Sequence, residues 1–255
     1  MGREIETTNE LKYLGLHIDR GMTMKSHITN TCRKAEISAN ALNRIMPNIN
    51  GPTQRKVVTR ICSAYRTIST VAALVISGTP PIRLQIEERA RTYGKDEDTK
   101  RKEEKEEKEE TIRKWQREWE DTVEVGQWTK RLIPNVATWT NRKHGNVDYY
   151  LTQMLSGHGC FAAYLHKFAL IESDICWYCQ ERDDAAHTFL HCIRWTRERT
   201  IVETAIGETL STENITNTMI DSKEGWDVIA QMAKGIISKK EEEERTRKRQ
   251  LQGQE

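Results

Sequence analysis

The sequence predicts a mostly α-helical chain with one short β-hairpin near its N-terminus. Three observations carry this. Apolar residues recur at helical spacing through most of the 255 residues. Strict alternation, the mark of a half-buried strand, is confined to Leu14, Leu16 and Ile18. Acid-to-base pairs four residues apart fill the middle of the chain, as in a solvated helix.

Residues 11–18 (Leu-Lys-Tyr-Leu-Gly-Leu-His-Ile) supply a strand, and Asp19-Arg20-Gly21 a turn, so a short hairpin is expected. From Ile28 the period changes. Ile28, Cys32, Ala35, Ala39, Leu42 and Met46 line one helical face, with Arg33, Lys34 and Arg44 off it, and Pro47 stops the helix. Val58, Ile61, Cys62 and Tyr65 mark a second helix, with Arg55, Lys56, Arg60 and Arg66 around it. Ser69 or Thr70 caps a third, Val71 to Ile76, which Gly78 and the following Pro80-Pro81 close. A fourth runs from Ile82 to Tyr93.

Residues 95–110 contain no apolar side chain and predict an exposed, fraying spacer helix. Ile112, Trp115, Trp119 and Val123 then form a stripe that should dock. Asn146 is placed to cap a helix with the inward face Val147, Tyr150, Leu151, Met154 and Leu155, ending at Gly157. Phe161, Tyr164, Leu165 and Phe168 make another helical face. Ile220 to Ile237 predicts a last helix, and the charged tail 239–255 is expected to be disordered. The expected organisation is a hairpin over 1–30, a basic helical segment over 31–94, a charged linker helix over 95–118, a helical domain over 119–200 and a helical and disordered tail over 201–255.

Composition limits the function classes. Hydrophobic residues are 36% and charged residues 31%, against roughly 45–50% and about 25% in ordinary domains. Mean hydropathy is −0.74. No apolar run reaches the roughly 18 residues a membrane span needs. The start, Met1-Gly-Arg-Glu-Ile5, lacks the apolar core of a secretory signal. A nuclear or cytoplasmic location is therefore expected, with the six cysteines as thiols or metal ligands. The net charge of +2 hides an uneven distribution: residues 20–93 hold 12 basic and 3 acidic side chains. That is the footprint of a phosphate-facing surface, or simply of a basic solvated one.

One motif carries chemistry. Cys176-Trp-Tyr-Cys179, seven residues, His187, four residues and Cys192 have the spacing of a zinc site. Four protein ligands leave no open position, which makes the ion structural. His191 is the alternative fourth ligand, because positions 187 and 191 share a helical face. Cys192 is preferred, although its five-residue step from His187 requires the helix to loosen. Trp177 and Tyr178 lie between two ligands, with Arg194, Arg197 and Arg199 just beyond. Their rings either face solvent, where bases stack on them, or pack on the 147–168 helices. No histidine has Glu two residues later, so the zinc-deaminase signature is absent. Phosphate-binding Gly loops and G-x-S-x-G are absent too. Asp183-Asp184 lies inside the metal spacer and is not read as catalytic.

Several blocks resemble the C-terminal part of the Pol proteins of type-1 arthropod non-LTR retrotransposons. Leu11-Lys-Tyr-Leu-Gly-Leu-His-Ile-Asp19 is similar to the hairpin closing the reverse-transcriptase palm. Ala41 to Asn48, Gly51-Pro52, Ser63 to Thr70 and Ala73 to Ile82 resemble the thumb. Trp128 to Pro134, His144 to Gln153 and Leu155 to Phe161 lead into the metal motif. The resemblance implies thumb-like helices, a CCHC zinc domain with cysteine as fourth ligand, and RNA or DNA as partner. It implies no membrane and no small-molecule substrate. The family's endonuclease and the Tyr-x-Asp-Asp palm are absent from the sequence. So is an apolar helical segment that the family carries between Arg60 and Ile61. The expectation is a non-catalytic fragment, from a truncated or mis-spliced element, whose parent performs target-primed reverse transcription. The alternative is a host zinc module that binds only proteins.

Overall fold

In the computed structural model the described residues are 10–13, 16–21, 23, 27, 53–93 and 97–252. Contacts divide the chain into two compact units, residues 1–53 and 54–255. The helix predicted over Ile28 to Met46, with Arg33, Lys34 and Arg44, lies outside the described residues.

In the first unit β1 (Glu10–Tyr13) and β2 (Leu16–Asp19) pair antiparallel, with Glu10 opposite Asp19 and Tyr13 opposite Leu16. The single strand predicted across 11–18 is therefore two strands. The chain reverses between Tyr13 and Leu16, and Arg20-Gly21 follows the hairpin instead of making it. The alternation of Leu14, Leu16 and Ile18 concealed the reversal.

The α-helices of the second unit begin with α1 (Gln54–Ile61), α2 (Thr70–Ser77), α3 (Ile82–Thr92), α4 (Glu97–Asp121), α5 (Gln127–Leu132) and α6 (Val136–Thr140). Then follow α7 (Tyr149–Ser156), α8 (Ala162–Lys167), α9 (Thr196–Ile206), α10 (Ile215–Asp221) and α11 (Lys223–Gln252). The mostly α fold class holds. At the centre lies α2, whose sequence TVAALVIS is apolar on all sides and can only be a buried helix. The Ser69 hydroxyl accepts from the Ala72 amide at its N-terminus, and Gly78 closes it with a left-handed φ of 66°. The indole of Trp139 donates to the Ile76 carbonyl (3.2 Å), tying α6 to the end of α2.

The charged helix α4 is not a free spacer. Its C-terminal half buries Trp115 and Trp119, and the Trp119 indole donates to the Ile133 carbonyl (2.8 Å). The helix runs beside α3 along both halves, where Lys114 pairs with Glu87 (2.9 Å), Arg91 with Glu107 and Arg83 with Glu118. Such partly exposed pairs contribute at most about 1 kcal/mol each. The two tryptophans do most of the holding, since aromatic burial outweighs surface pairing. Val123, the last residue of the predicted stripe, is exposed.

The cap of α7 is Asp148 and not Asn146: the Asp148 carboxylate accepts from the Leu151 amide (2.8 Å). Gly157 ends the helix with φ 69°. The predicted inward face stands, with Leu151, Met154 and Leu155 buried.

Residues 239–252 of the predicted disordered tail are instead the end of α11. Trp226, Ile229, Met232, Ala233, Ile236 and Ile237 form its buried face. Past that face the charges find partners across the fold. Lys239 pairs with Glu198 (2.5 Å), Lys240 with Asp183 (2.7 Å) and Arg194 with Glu243 (3.0 Å). Glu241 accepts from the Tyr149 hydroxyl (2.7 Å) and the Gln153 amide (3.1 Å). Charge alone made this stretch look solvated, and the partners lie 41 or more residues away in sequence.

The Asp183–Lys240 pair is nearly enclosed, with side chains 6% and 13% exposed. Lys240→Met should leave the carboxylate buried without its counter-charge and cost about 3–5 kcal/mol. The measurement is a lower urea midpoint at unchanged slope. Asp183→Asn combined with Lys240→Met should recover part of the loss. A Lys240→Met shift within about 0.5 kcal/mol, as for an ordinary surface change, would remove the clamp's assigned role.

Candidate metal centre

The centre is built on a tight hairpin. Ile175 and Arg182 form an antiparallel bridge, the Cys176 amide donates to Glu181 O (2.7 Å), and the Gln180 amide donates to Cys176 O (3.0 Å). Gln180 takes a left-handed φ of 58° to close the turn. Cys176 and Cys179 thereby come together, with Sγ atoms 3.8 Å apart. Asp184 then starts the returning turn by accepting from the His187 amide (2.8 Å).

The return, His187–His191, is a π turn, and the Cys192 amide donates to the His187 carbonyl (2.7 Å). This is the loosening that a five-residue ligand step requires. An α-helix repeats every 3.6 residues, so it leaves positions five apart on different faces. The wider π turn brings them into register. Cys192 is consequently buried and faces the other ligands, while His191 is exposed.

Cys192 Sγ lies 3.7 Å from Cys176 Sγ and 3.4 Å from Cys179 Sγ, and His187 Nε2 lies 3.4 Å from Cys179 Sγ. All four ligand atoms fall within 4.8 Å of one another. A tetrahedral ion with metal–sulfur bonds of about 2.3 Å has sulfur–sulfur edges of about 3.8 Å. The four residues thus form a group that could hold one metal ion. Burial, and then the neighbouring Cys179, push the Cys192 thiol up to about 12. A bound cation reverses that cost by stabilising the thiolate. The other ring nitrogen of His187, Nδ1, lies 3.2 Å from the Glu181 carboxylate, which orients Nε2 toward the sulfurs.

Asp183 anchors the centre to the fold. Its Oδ1 accepts from the Thr188 hydroxyl (2.7 Å), its Oδ2 from the Ala162 amide (2.9 Å), and both face Lys240 Nζ. The sequence reading set Asp183 and Asp184 aside as non-catalytic and missed their work, along with that of Glu181. The available signal was three acids inside a metal spacer.

The residues singled out for nucleic acid divide into three groups. Trp177 and Tyr178 are exposed at the hairpin, 68% and 43%. Arg247 lies over the Trp177 ring (5.1 Å), and Arg194 lies over Tyr178 (5.3 Å) and Trp195 (4.7 Å). Arg197 is exposed, whereas Arg199 is buried. On and after α1, Arg55, Lys56, Arg60 and Arg66 are all exposed. Arg55 is partly committed, because Nη2 donates to the carbonyls of Arg66 (2.6 Å) and Ile68 (3.3 Å). Arg33, Lys34 and Arg44 lie outside the described residues.

Among the described residues outside the quartet, Cys62 is buried and Cys160 half-buried. Burial pushes the Cys62 and Cys160 thiols up, to about 11 and about 12. His144 contacts the Met219 carbonyl (2.9 Å) and His166 that of Ile171 (3.2 Å). Burial, assisted by Lys167, holds His158 down to about 4. No helix among the described residues is long and apolar enough to cross a membrane.

The chain is similar to "Retrovirus-related Pol polyprotein from type-1 retrotransposable element R1 4" of Nasonia vitripennis. It is 24% identical over 278 residues, covering 88% of this chain and 71% of that one. A similar match is "Putative 115 kDa protein in type-1 retrotransposable element R1DM" of Drosophila melanogaster, 24% identical over 75% of this chain and 24% of that one. A third, the Nasonia vitripennis Pol polyprotein from element R1 2, is 27% identical over 60% of this chain and 41% of that one. The chain therefore spans about a quarter and two-fifths of the last two. No protein-family profile and no solved structure matches it. These matches bear out the resemblance to retrotransposon Pol proteins.

Titration of the purified chain with Zn²⁺ or Co²⁺ should saturate at about one ion per chain. Cys179→Ser should lose the ion and loosen the hairpin, and His191→Ala should keep it. Full loading of Cys176→Ser/Cys179→Ser would overturn the ligand assignment.

Proposed function

We propose that this chain is a nucleic-acid-binding part of a retrotransposon Pol polyprotein, organised by one structural zinc ion and non-catalytic by itself. The observation that carries this is the Cys176/Cys179/His187/Cys192 quartet, with two exposed aromatic rings between its first two ligands. Three sulfurs and one imidazole on near-tetrahedral edges suit zinc, and four protein ligands leave no place for a reactive water. The ion's work is to fold the hairpin.

Trp177 and Tyr178 offer stacking faces for unpaired bases, which contribute about 1–3 kcal/mol per base. Arg194 stands beside Tyr178, and with the exposed Arg197 it is offered to phosphates. Lys56, Arg60 and Arg66 add a second basic surface, and the sequence offers Arg33, Lys34 and Arg44 for the same role. The part they would play in a Pol polyprotein is to hold template RNA or target DNA beside the polymerase during target-primed synthesis. The non-catalytic reading rests on the sequence, which lacks the palm carboxylates that two-metal nucleotidyl transfer needs. A nuclear or cytoplasmic location follows from the same parentage.

The zinc-loaded chain should bind single-stranded RNA or DNA with weak sequence preference. Log affinity should fall linearly with log salt, with a slope near −0.7 per phosphate contacted. Lys56→Ala/Arg60→Ala/Arg66→Ala should weaken all sequences and flatten the slope. Trp177→Ala should weaken single-strand binding with the slope and the zinc content unchanged. Absence of any binding at low salt by folded, zinc-loaded chain would replace this reading with a protein-interaction module. The chain alone should extend no primer, and dose-dependent extension by a polymerase-free preparation would refute its non-catalytic status.

A further inference from the structure

A cleft on the second unit lies beside the metal hairpin, with Arg182 and Asp184 in its lining. It encloses about 260 Å³ beside α5, α7 and α8, just below the roughly 300–1,000 Å³ of ordinary small-molecule sites. Trp128, Gly157, Phe161 and Tyr164 lie along it, and Arg131, Lys167 and Arg182 stand at it. Two sequence blocks left without a role by the metal centre, 128–134 and 155–161, meet here.

The aromatic wall is fixed in place. The Trp128 indole donates to the Met154 carbonyl (2.7 Å), and the Tyr164 hydroxyl shares a hydrogen bond with Thr67 (2.6 Å). Gly157 lets Trp128 lie close, since a Cβ there would sit 3.1 Å from the ring. Arg131 stacks on Trp128 at 5.1 Å. The three cations come from three different elements, all with exposed side chains. Three carboxylates are near, one of them Glu213, which is held below its ordinary range first by the Thr212 and Ser211 hydroxyls and also by Arg131. Asp184 is engaged by the His187 amide, and Asp174 faces Arg182 at 3.4 Å. Of the charged residues lining the cleft, three are cations and one, Asp184, is a carboxylate, and His158 is neutral because burial holds it near 4.

We infer that this cleft binds one nucleotide unit of a single-stranded nucleic acid. A phosphate would lie among Arg131, Lys167 and Arg182, and the base against the Trp128–Tyr164 wall. The inference deepens the nucleic-acid reading and rests on it. A phosphopeptide would satisfy the cations but leave the aromatic wall unused. Arg182 sits on the metal hairpin, paired with Ile175, so the ion positions one of the three phosphate contacts.

The test uses the full zinc-loaded chain and a fluorescent oligouridylate carrying one 4-thiouridine. Photo-crosslinks should map to the 126–131 and 156–167 peptides. Arg131→Ala/Lys167→Ala should weaken binding about ten-fold, with the circular dichroism spectrum and zinc content unchanged. Arg182→Gln should weaken it about three-fold. Binding with crosslinks elsewhere, and no effect of Arg131→Ala/Lys167→Ala, would overturn the cleft assignment while leaving the nucleic-acid reading intact. Equal affinity of a phosphoserine peptide, competing at the same peptides, would overturn the nucleotide assignment. No binding of the oligonucleotide at all would overturn both.

Discussion

A single buried carboxylate joins the metal hairpin to the rest of the molecule. Asp183 accepts from the amide at the start of α8, from a threonine in the π turn and from a lysine on α11. A charge taken out of water is costly unless paired and fully hydrogen-bonded. Here every demand is met, but only when α8, the returning turn and α11 are all in place. The ion pair thus acts less as a source of stability than as a condition that rejects other arrangements of these elements. It also explains why α11 runs on beyond its apolar face.

The parts legible in the sequence were those set by local rules. The caps and stop of α2 follow from Ser69, Gly78 and the proline pair, and the burial of Trp115 and Trp119 follows from helical spacing. The quartet followed from ligand chemistry, and the need for a loosened turn before Cys192 followed from simple geometry. The structure supplies that turn. What was not legible depends on distant partners. Residues 239–252 have no apolar periodicity, so their order could be inferred only from Glu198, Asp183 and Arg194. The same holds for α4, where a composition typical of a solvated helix met Arg83, Glu87 and Arg91 on α3. The hairpin misplacement was different: alternation persists through a two-residue turn, so periodicity alone cannot see the reversal.

The choice between Asn146 and Asp148 as the cap of α7 shows a finer limit. Both residue types cap well, and two positions separate them. Only the backbone path decides, because the cap must have an extended conformation while its side chain reaches the third residue on. Asp148 satisfies both, with φ −113° and ψ −175°. Sequence preference gave the right chemistry at the wrong position.

The stretch from Asp174 to Cys192 is too short to bury a core of its own, and chains of this size usually need a metal or another staple. Its apolar residues Ala185 and Phe189 are buried in the main core. A metal at the quartet and the Asp183 clamp therefore act on the same folding step from opposite sides. One draws the four ligands together, and the other fastens the closed hairpin to α8 and α11. Because the metal-bound form exists only when folded, its binding energy becomes folding energy. Arg182, Trp177 and Tyr178 all ride on this hairpin. The positions of these three side chains are thus consequences of the hairpin's closure.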